Sequence, residues 1–159
     1  MLKLIKLANV NDSEKVFNSI FFYRNSDNSI QYVDKGFHIL MKDNYLIFRD
    51  YIFSNKYIAL VDDKRDNNII VENKSKTNID VNTLDIRYLD CNEQFLKESL
   101  MFLEKVFSNK NIRKIKMTCF KEDIECIDDL INGGYFKKEL SYCIGLKNMI
   151  YLTHIFEQR

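Results

Sequence analysis

The chain has 159 residues, 46% of them hydrophobic, which is enough for one core and too many for a disordered segment. It carries 24 Lys and Arg against 23 Asp and Glu, a net charge of +1, without the basic surplus that general nucleic-acid binding needs. No apolar run approaches the ~18 residues of a membrane-spanning helix, and the start lacks a secretion signal's apolar stretch, so one cytoplasmic, bacterial domain over 1–159 is expected.

Residues 3–7 alternate apolar and basic side chains and predict a first strand. Asn11, Asp12 and Ser13 supply helix-cap chemistry, and Val16, Phe17, Ile20 and Phe21 then share one helical face. Residues 24–36 are polar and read as a loop. Residues 37–55 carry dense aromatics and read as a helix and a turn, although a strand fits the same run. A strand over 57–62, a polar turn over 62–68 and a returning strand from 69 to 72 predict a hairpin. A third strand over 83–89 puts Leu84, Ile86 and Tyr88 on one face, with Asp85 and Arg87 on the other.

Phe95, Leu96, Leu100, Leu103, Val106 and Phe107 have the spacing of an amphipathic helix. Ile115, Met117 and Cys119 alternate with Lys114, Lys116 and Thr118 as a half-buried strand. Ile124, Ile127, Leu130 and Ile131 return to helical spacing, and Gly133 and Gly134 stop that helix. Two strands, about 136–146 and 149–156, close the chain. The expected fold is α/β (α+β): a mixed central sheet of about six to seven strands with helices on both faces.

The four cysteines, Cys91, Cys119, Cys126 and Cys143, show no paired spacing, so no metal site is expected; the last three read as small buried hydrophobes. The basic residues in 110–116 and at Lys137 and Lys138 read as solvated faces. His38 and His154 form no nucleophile–base constellation that spacing can support.

The element order, the run FSNKNIRKIKMTCF over 107–120, Cys126-Ile127 and the later Gly134-Tyr135-Phe136-Lys137-Lys138 resemble the GNAT superfamily of acyl-CoA-dependent N-acyltransferases. The likeness is strongest over 83–156. It implies two neighbouring strands that splay into a V, with acetyl-CoA lying between them. The strand over 83–89 would offer backbone groups of Arg87, Tyr88 and Leu89 to the pantetheine arm, and an N–H there would polarise the thioester carbonyl. A glycine-rich loop would then wrap the pyrophosphate against the next helix.

The matching segment here is Leu89-Asp90-Cys91-Asn92-Glu93-Gln94-Phe95. It has no glycine and no Arg, and it is short. Asn92 and Gln94 are the residues it would offer to the cofactor. Asp90 and Glu93 put negative charge where phosphates would sit, which suits an ordinary helix cap better. By the same resemblance, Leu130 stands where the family has a proton-donating Tyr, and Tyr135 reads as core. Asp85 occupies the place of the general base, and Tyr142 or Tyr151 could supply the acid.

Acetyl transfer from acetyl-CoA to a primary amine, carried by a small molecule or a peptide, is therefore the leading expectation. The alternative is a non-catalytic GNAT-like binding or assembly module that has lost the pyrophosphate loop, with its cleft filled by side chains of 89–95. The apolar 149–156 strand offers an edge through which two copies could pair.

Overall fold

The computed structural model describes residues 6–7, 10–22, 27–64, 66–74, 82–121 and 127–156. Among the described residues, eight strands and five α-helices follow in the order β1 (Lys6–Leu7), α1 (Ser13–Phe21), β2 (Ile30–Val33), α2 (Lys35–Met41), α3 (Tyr45–Phe53), β3 (Tyr57–Val61) and β4 (Asn68–Asn73). They continue as β5 (Thr83–Cys91), α4 (Glu93–Phe107), β6 (Lys114–Phe120), α5 (Ile127–Asn132), β7 (Lys137–Ile144) and β8 (Lys147–Ile155). The expected helix over 37–55 is two helices, α2 and α3. Residues 3–5, Ile124 and Cys126 lie outside the described residues.

One mixed sheet runs β1-β3-β4-β5-β6-β8-β7, and β2 pairs with β5 off that path. All pairings are antiparallel except β5 with β6. The 15 residues of α4 make that parallel crossover. Helices cover both faces. On one face α4 and α5 pack Phe95, Leu96, Leu100, Leu103 and Leu130 onto Ile58, Leu60, Val71, Leu84 and Ile115. On the other, α1, α2 and α3 pack Phe17, Ile20, Phe37, Met41, Phe48 and Ile52 onto Tyr57, Ala59, Ile70 and Tyr88. Aromatic edges and faces meet throughout the second core; Phe17 lies within 4.7–6.1 Å of Phe21, Phe22, Tyr45 and Phe48.

Several sequence expectations need correction. Residues 24–36 are not all loop, because Ile30–Val33 form β2, with Ile30 and Tyr32 in the α4-side core and Gln31 exposed. Burying those two side chains is worth about 1.5–3 kcal/mol each, enough to hold a short strand that local composition does not specify. Tyr88 does not share a face with Leu84 and Ile86. Ile70 pairs with Tyr88 and Val71 with Ile86, so Arg87 is an extra residue in β5. This bulge turns Tyr88 to the α1–α3 side. Cys143 is exposed at the β7–β8 hairpin, where its thiol lies 3.0 Å from Asn148 Oδ1; Cys91 and Cys119 are buried.

The edge expected at 149–156 is also not an edge. β8 lies between β6 and β7 and is paired on both sides; β7 is the outer strand. Gly134 ends α5 with φ +79°, a left-handed conformation that glycine takes without strain. No helix among the described residues is long and apolar enough to cross a membrane.

Candidate functional site

β5 and β6 touch at only one end. Their register covers Thr83–Lys114, Leu84–Ile115 and Asp85–Lys116, and no pair follows. Beyond Asp85 the two strands diverge, which is the V that the sequence resemblance implies. The bulge at Arg87 sits just past the last pair and adds twist where β5 leaves β6.

The V is not open along β5. Ile30, Gln31, Tyr32 and Val33 pair antiparallel with Cys91, Asp90, Leu89 and Tyr88. Tyr88, Leu89 and Asp90 already pair with Ile70, Ile69 and Asn68 on their other side, so β2 lies on the edge that faces β6. The Asp34 amide extends this pairing by donating to the Arg87 carbonyl at 2.9 Å. Alternation along an antiparallel ladder then makes Leu89 the next position whose backbone groups β2 takes up. Tyr32 crosses what remains of the gap: its hydroxyl donates to the Thr118 carbonyl of β6 at 2.8 Å. Burial, with Asp34 nearby, pushes the Tyr32 phenol far above its ordinary value, so it stays protonated and donating. A cleft of ≈ 470 Å³ persists between β2 and β6, lined by Val33, Asp34, Lys35, Thr118, Phe120 and Met149.

On the α1–α3 side the bulge aims Arg87 into a cluster of acids. Its guanidinium reaches Asp34 Oδ2 and Glu72 Oε1, each at 3.2 Å, and Asp85 Oδ2 at 3.7 Å. Lys74 adds a second cation, 3.5 Å from Glu72. Burial lifts the Asp85 carboxyl above its ordinary value, against the pull of Arg87, Lys74 and Lys116. Its Oδ1 is buried and has no hydrogen-bond partner among the described residues. Burial, then Glu72, raises the Tyr57 phenol as well. The site is thus a half-buried acid beside a splayed sheet, with an arginine between it and β2.

The residues expected to hold acetyl-CoA are brought near one another, but engaged otherwise. The V-facing edge of Arg87, Tyr88 and Leu89 is taken by β2 and Asp34. Strand β5 runs to Cys91 and α4 starts at Glu93, so one residue stands where a phosphate loop would be. That residue, Asn92, caps the helix by accepting from the Phe95 amide at 2.7 Å. Gln94 is exposed and donates to Glu98 at 2.9 Å. Glu93 accepts from the Tyr135 hydroxyl at 2.8 Å; Tyr135 is half-buried against the α4-side core, as expected. In this arrangement the residues present do not fit acetyl-CoA: no glycine cradle exists, and the chain's own strand holds the edge that the pantetheine arm would use.

Tyr142 lies on β7 opposite Met149, which in turn faces Phe120 of β6. It is therefore at the level of the cleft but two strands out from it. Tyr151 sits on β8 opposite Thr118. Leu130, which the sequence resemblance sets against a family Tyr, is fully buried. His154 meets the Tyr135 carbonyl at 2.9 Å, away from the V. The alternative of a cleft filled from 89–95 needs correction as well: the filling comes from 30–33. Among the described residues no group of His, Cys, Asp or Glu could hold a metal ion. Sequence reasoning missed Asp34, Glu72 and Tyr32; the only signal for the last was the apolar-polar alternation Ile30-Gln31-Tyr32.

No family model matches the sequence, and no curated protein sequence does. Solved structures do match. A ribosomal-protein-S5-alanine acetyltransferase from Vibrio fischeri superposes with a TM-score of 0.60 at 14% identity, over 96% of this chain and 92% of that one. A GNAT-family acetyltransferase from Bacillus anthracis gives 0.58 at 15% identity, over 97% and 95%. An aminoglycoside acetyltransferase solved with coenzyme A gives 0.55 at 9% identity, over 95% and 93%. With the splayed β5–β6 pair and this strand order, they lead to one conclusion: the chain has the fold of the GNAT acetyltransferases.

Proposed function

We propose that the chain is an acetyl-CoA-dependent N-acyltransferase acting on a primary amine of a small molecule or peptide, held here in a closed form. The observation that carries this reading is the splayed β5–β6 pair with Asp85 at its base. Its carboxyl, raised by burial, suits a group that takes a proton from an ammonium acceptor. The neighbours of the same fold that act on aminoglycosides and on a ribosomal protein's alanine point to amine acceptors in general. The acidic cluster of Asp34, Glu72 and Asp85 supports a cationic acceptor on the α1–α3 side. Tyr142 remains a candidate acid only if β7 approaches the acceptor. Two copies pairing edge to edge would do so through β7.

The test is release of CoA thiol from acetyl-CoA in the presence of a panel of polyamines, aminoglycosides and peptide N-termini. The reading expects slow turnover that Asp85→Asn abolishes. Turnover no faster than with the Asp85→Asn protein for every amine would end it.

A second reading is favoured by a specific observation, the direct passage from β5 to α4 through Asn92 alone. In that reading the chain is a binding or assembly module, and the absence of a phosphate cradle is permanent. Unaltered melting at millimolar acetyl-CoA supports it; a ligand at about 100 times its dissociation constant would add ~2.7 kcal/mol.

A further inference from the structure

We infer that the cleft between β2 and β6 is a slot for one extended strand, and that its occupant is an acidic peptide segment of a partner protein. This rests on the binding-module reading above and names the partner's chemistry. β2 is a fixed wall, because Ile30 and Tyr32 are buried in the α4-side core. β6 is the opposite wall, held by β8 from Lys114 to Phe120. Both walls turn backbone groups to the cleft. On β2 the Asp34 amide meets the Arg87 carbonyl, and the register then turns Tyr32 toward Leu89. Alternation leaves the amide and carbonyl of Val33 pointing away from β5, into the cleft. On β6 the Phe156 amide meets the Arg113 carbonyl, so Ile115, Met117 and Cys119 turn to β8. Thr118 and Phe120 therefore turn to the cleft, and the Tyr32 hydroxyl on the Thr118 carbonyl shows the same direction. Among the described residues no strand pairs with β6 on this side beyond Lys116, or with β2 on its side away from β5. Two strand edges thus face each other, and each is a template for a further strand.

Size and charge specify the occupant. The four residues of β2 and the cleft of ≈ 470 Å³ suit an insert of about three or four residues at ~3.3 Å each. The Tyr32 ring belongs to the α4-side core and forms the floor. On the other side, Lys35 at the start of α2 and Lys147 at the start of β8 both lie over the Phe120 ring, 5.9 and 5.2 Å from its centre. The acid in the lining, Asp34, is already paired with Arg87. An Asp or Glu of the inserted strand that points to the α1–α3 side meets both lysines. Its neighbours along the strand point to the floor of Tyr32 and Cys119, and there apolar side chains fit.

The probe is a fluorescein-labelled peptide GTVEVTG, amidated at its C-terminus and titrated into the full chain by fluorescence polarisation. Saturable binding below millimolar peptide is expected, with the amide resonances of Val33, Thr118 and Phe120 moving most. Replacing the peptide's Glu by Lys should weaken binding by about tenfold or more, and so should Lys35→Gln/Lys147→Gln in the protein. Methylating two successive backbone nitrogens of the peptide should abolish binding, because an N–H toward each edge is then lost. If the lysine variant fails to fold, the peptide-side comparisons carry the test alone.

Absence of saturable binding overturns the inference. Equal affinity for the Glu and Lys peptides, or for the plain and methylated ones, does so too. Resonance shifts confined to other parts of the sheet have the same consequence. Acetyl-CoA reports separately on the reading beneath it. A chain that melts unaltered with acetyl-CoA and ignores the acidic peptide keeps the binding module and ends this slot. A chain that takes the peptide here and also turns over acetyl-CoA keeps the slot and ends the binding-module reading.

Discussion

Asp34 and Arg87 meet twice: carboxylate to guanidinium at 3.2 Å, and amide to carbonyl at 2.9 Å. The pair joins the end of β2 to the bulge of β5. Arg87 is set there because one extra residue in β5 turns its side chain toward Glu72 and Asp34. Asp34→Ala removes the ionic partner and the α2 cap together. Loss of a cap costs typically ~1 kcal/mol and a half-buried ion pair adds up to about 1 kcal/mol, so in a chain of 159 residues the melting temperature should fall by about 3–6 °C. A thermal melt checks this, and a fall of under one degree would mean that Arg87 holds β2 without Asp34.

Arg87→Met leaves three carboxylates facing one another with Lys74 as the nearest remaining cation. Removing one partner of such a cluster costs about 3–5 kcal/mol near neutral pH. Protonated carboxyls no longer repel, so the loss should shrink as the pH is lowered toward about 4. Urea unfolding at two pH values measures it. A loss that does not change with pH would assign the damage to packing rather than charge.

Tyr32→Phe keeps the ring in the core and deletes the hydroxyl that reaches Thr118. A hydrogen bond of this kind contributes about 0.5–1.5 kcal/mol, and the Thr118 carbonyl can turn to water in the cleft, so the low end is expected. The amide of Thr118 or Phe120 should exchange with solvent faster in the variant. Unchanged exchange would show that Tyr32 does not tie β2 to β6.

Asp85 binds its proton more tightly folded than unfolded, because burial raises its carboxyl above the ordinary 3.8. Between that value and the folded one, the native state carries more proton than the unfolded state. Stability must therefore fall as pH rises through that window. Asp85→Asn should flatten the stability profile there and leave the protein no less stable at about pH 7. A profile as steep as wild type would assign the slope to other groups.

Much of this architecture was legible in the chain, for reasons that particular residues show. Helix α4 was readable because Phe95, Leu96, Leu100, Leu103 and Phe107 keep a 3.6-residue period on a buried face. β6 was readable because Ile115, Met117 and Cys119 alternate with exposed or half-exposed neighbours. β2 was not. Four residues in a polar run carry little periodic signal, and what fixes them is the vacant edge of β5, more than 50 positions away along the chain. The face of Tyr88 was misread because a bulge leaves no mark in composition. Asp34 gave no signal either, since its partner Arg87 is brought to it only by the sheet. The absence of a phosphate loop, by contrast, was visible from the lack of glycine between Leu89 and Phe95.

Occupation of the V by β2 is tested most directly by cross-strand nuclear Overhauser contacts in the ligand-free protein. Strong contacts between the Hα atoms of Gln31 and Asp90, and of Val33 and Tyr88, are what the antiparallel register requires. Assigned spectra that lack both, with Gln31 and Val33 showing no contact to β5, would contradict it.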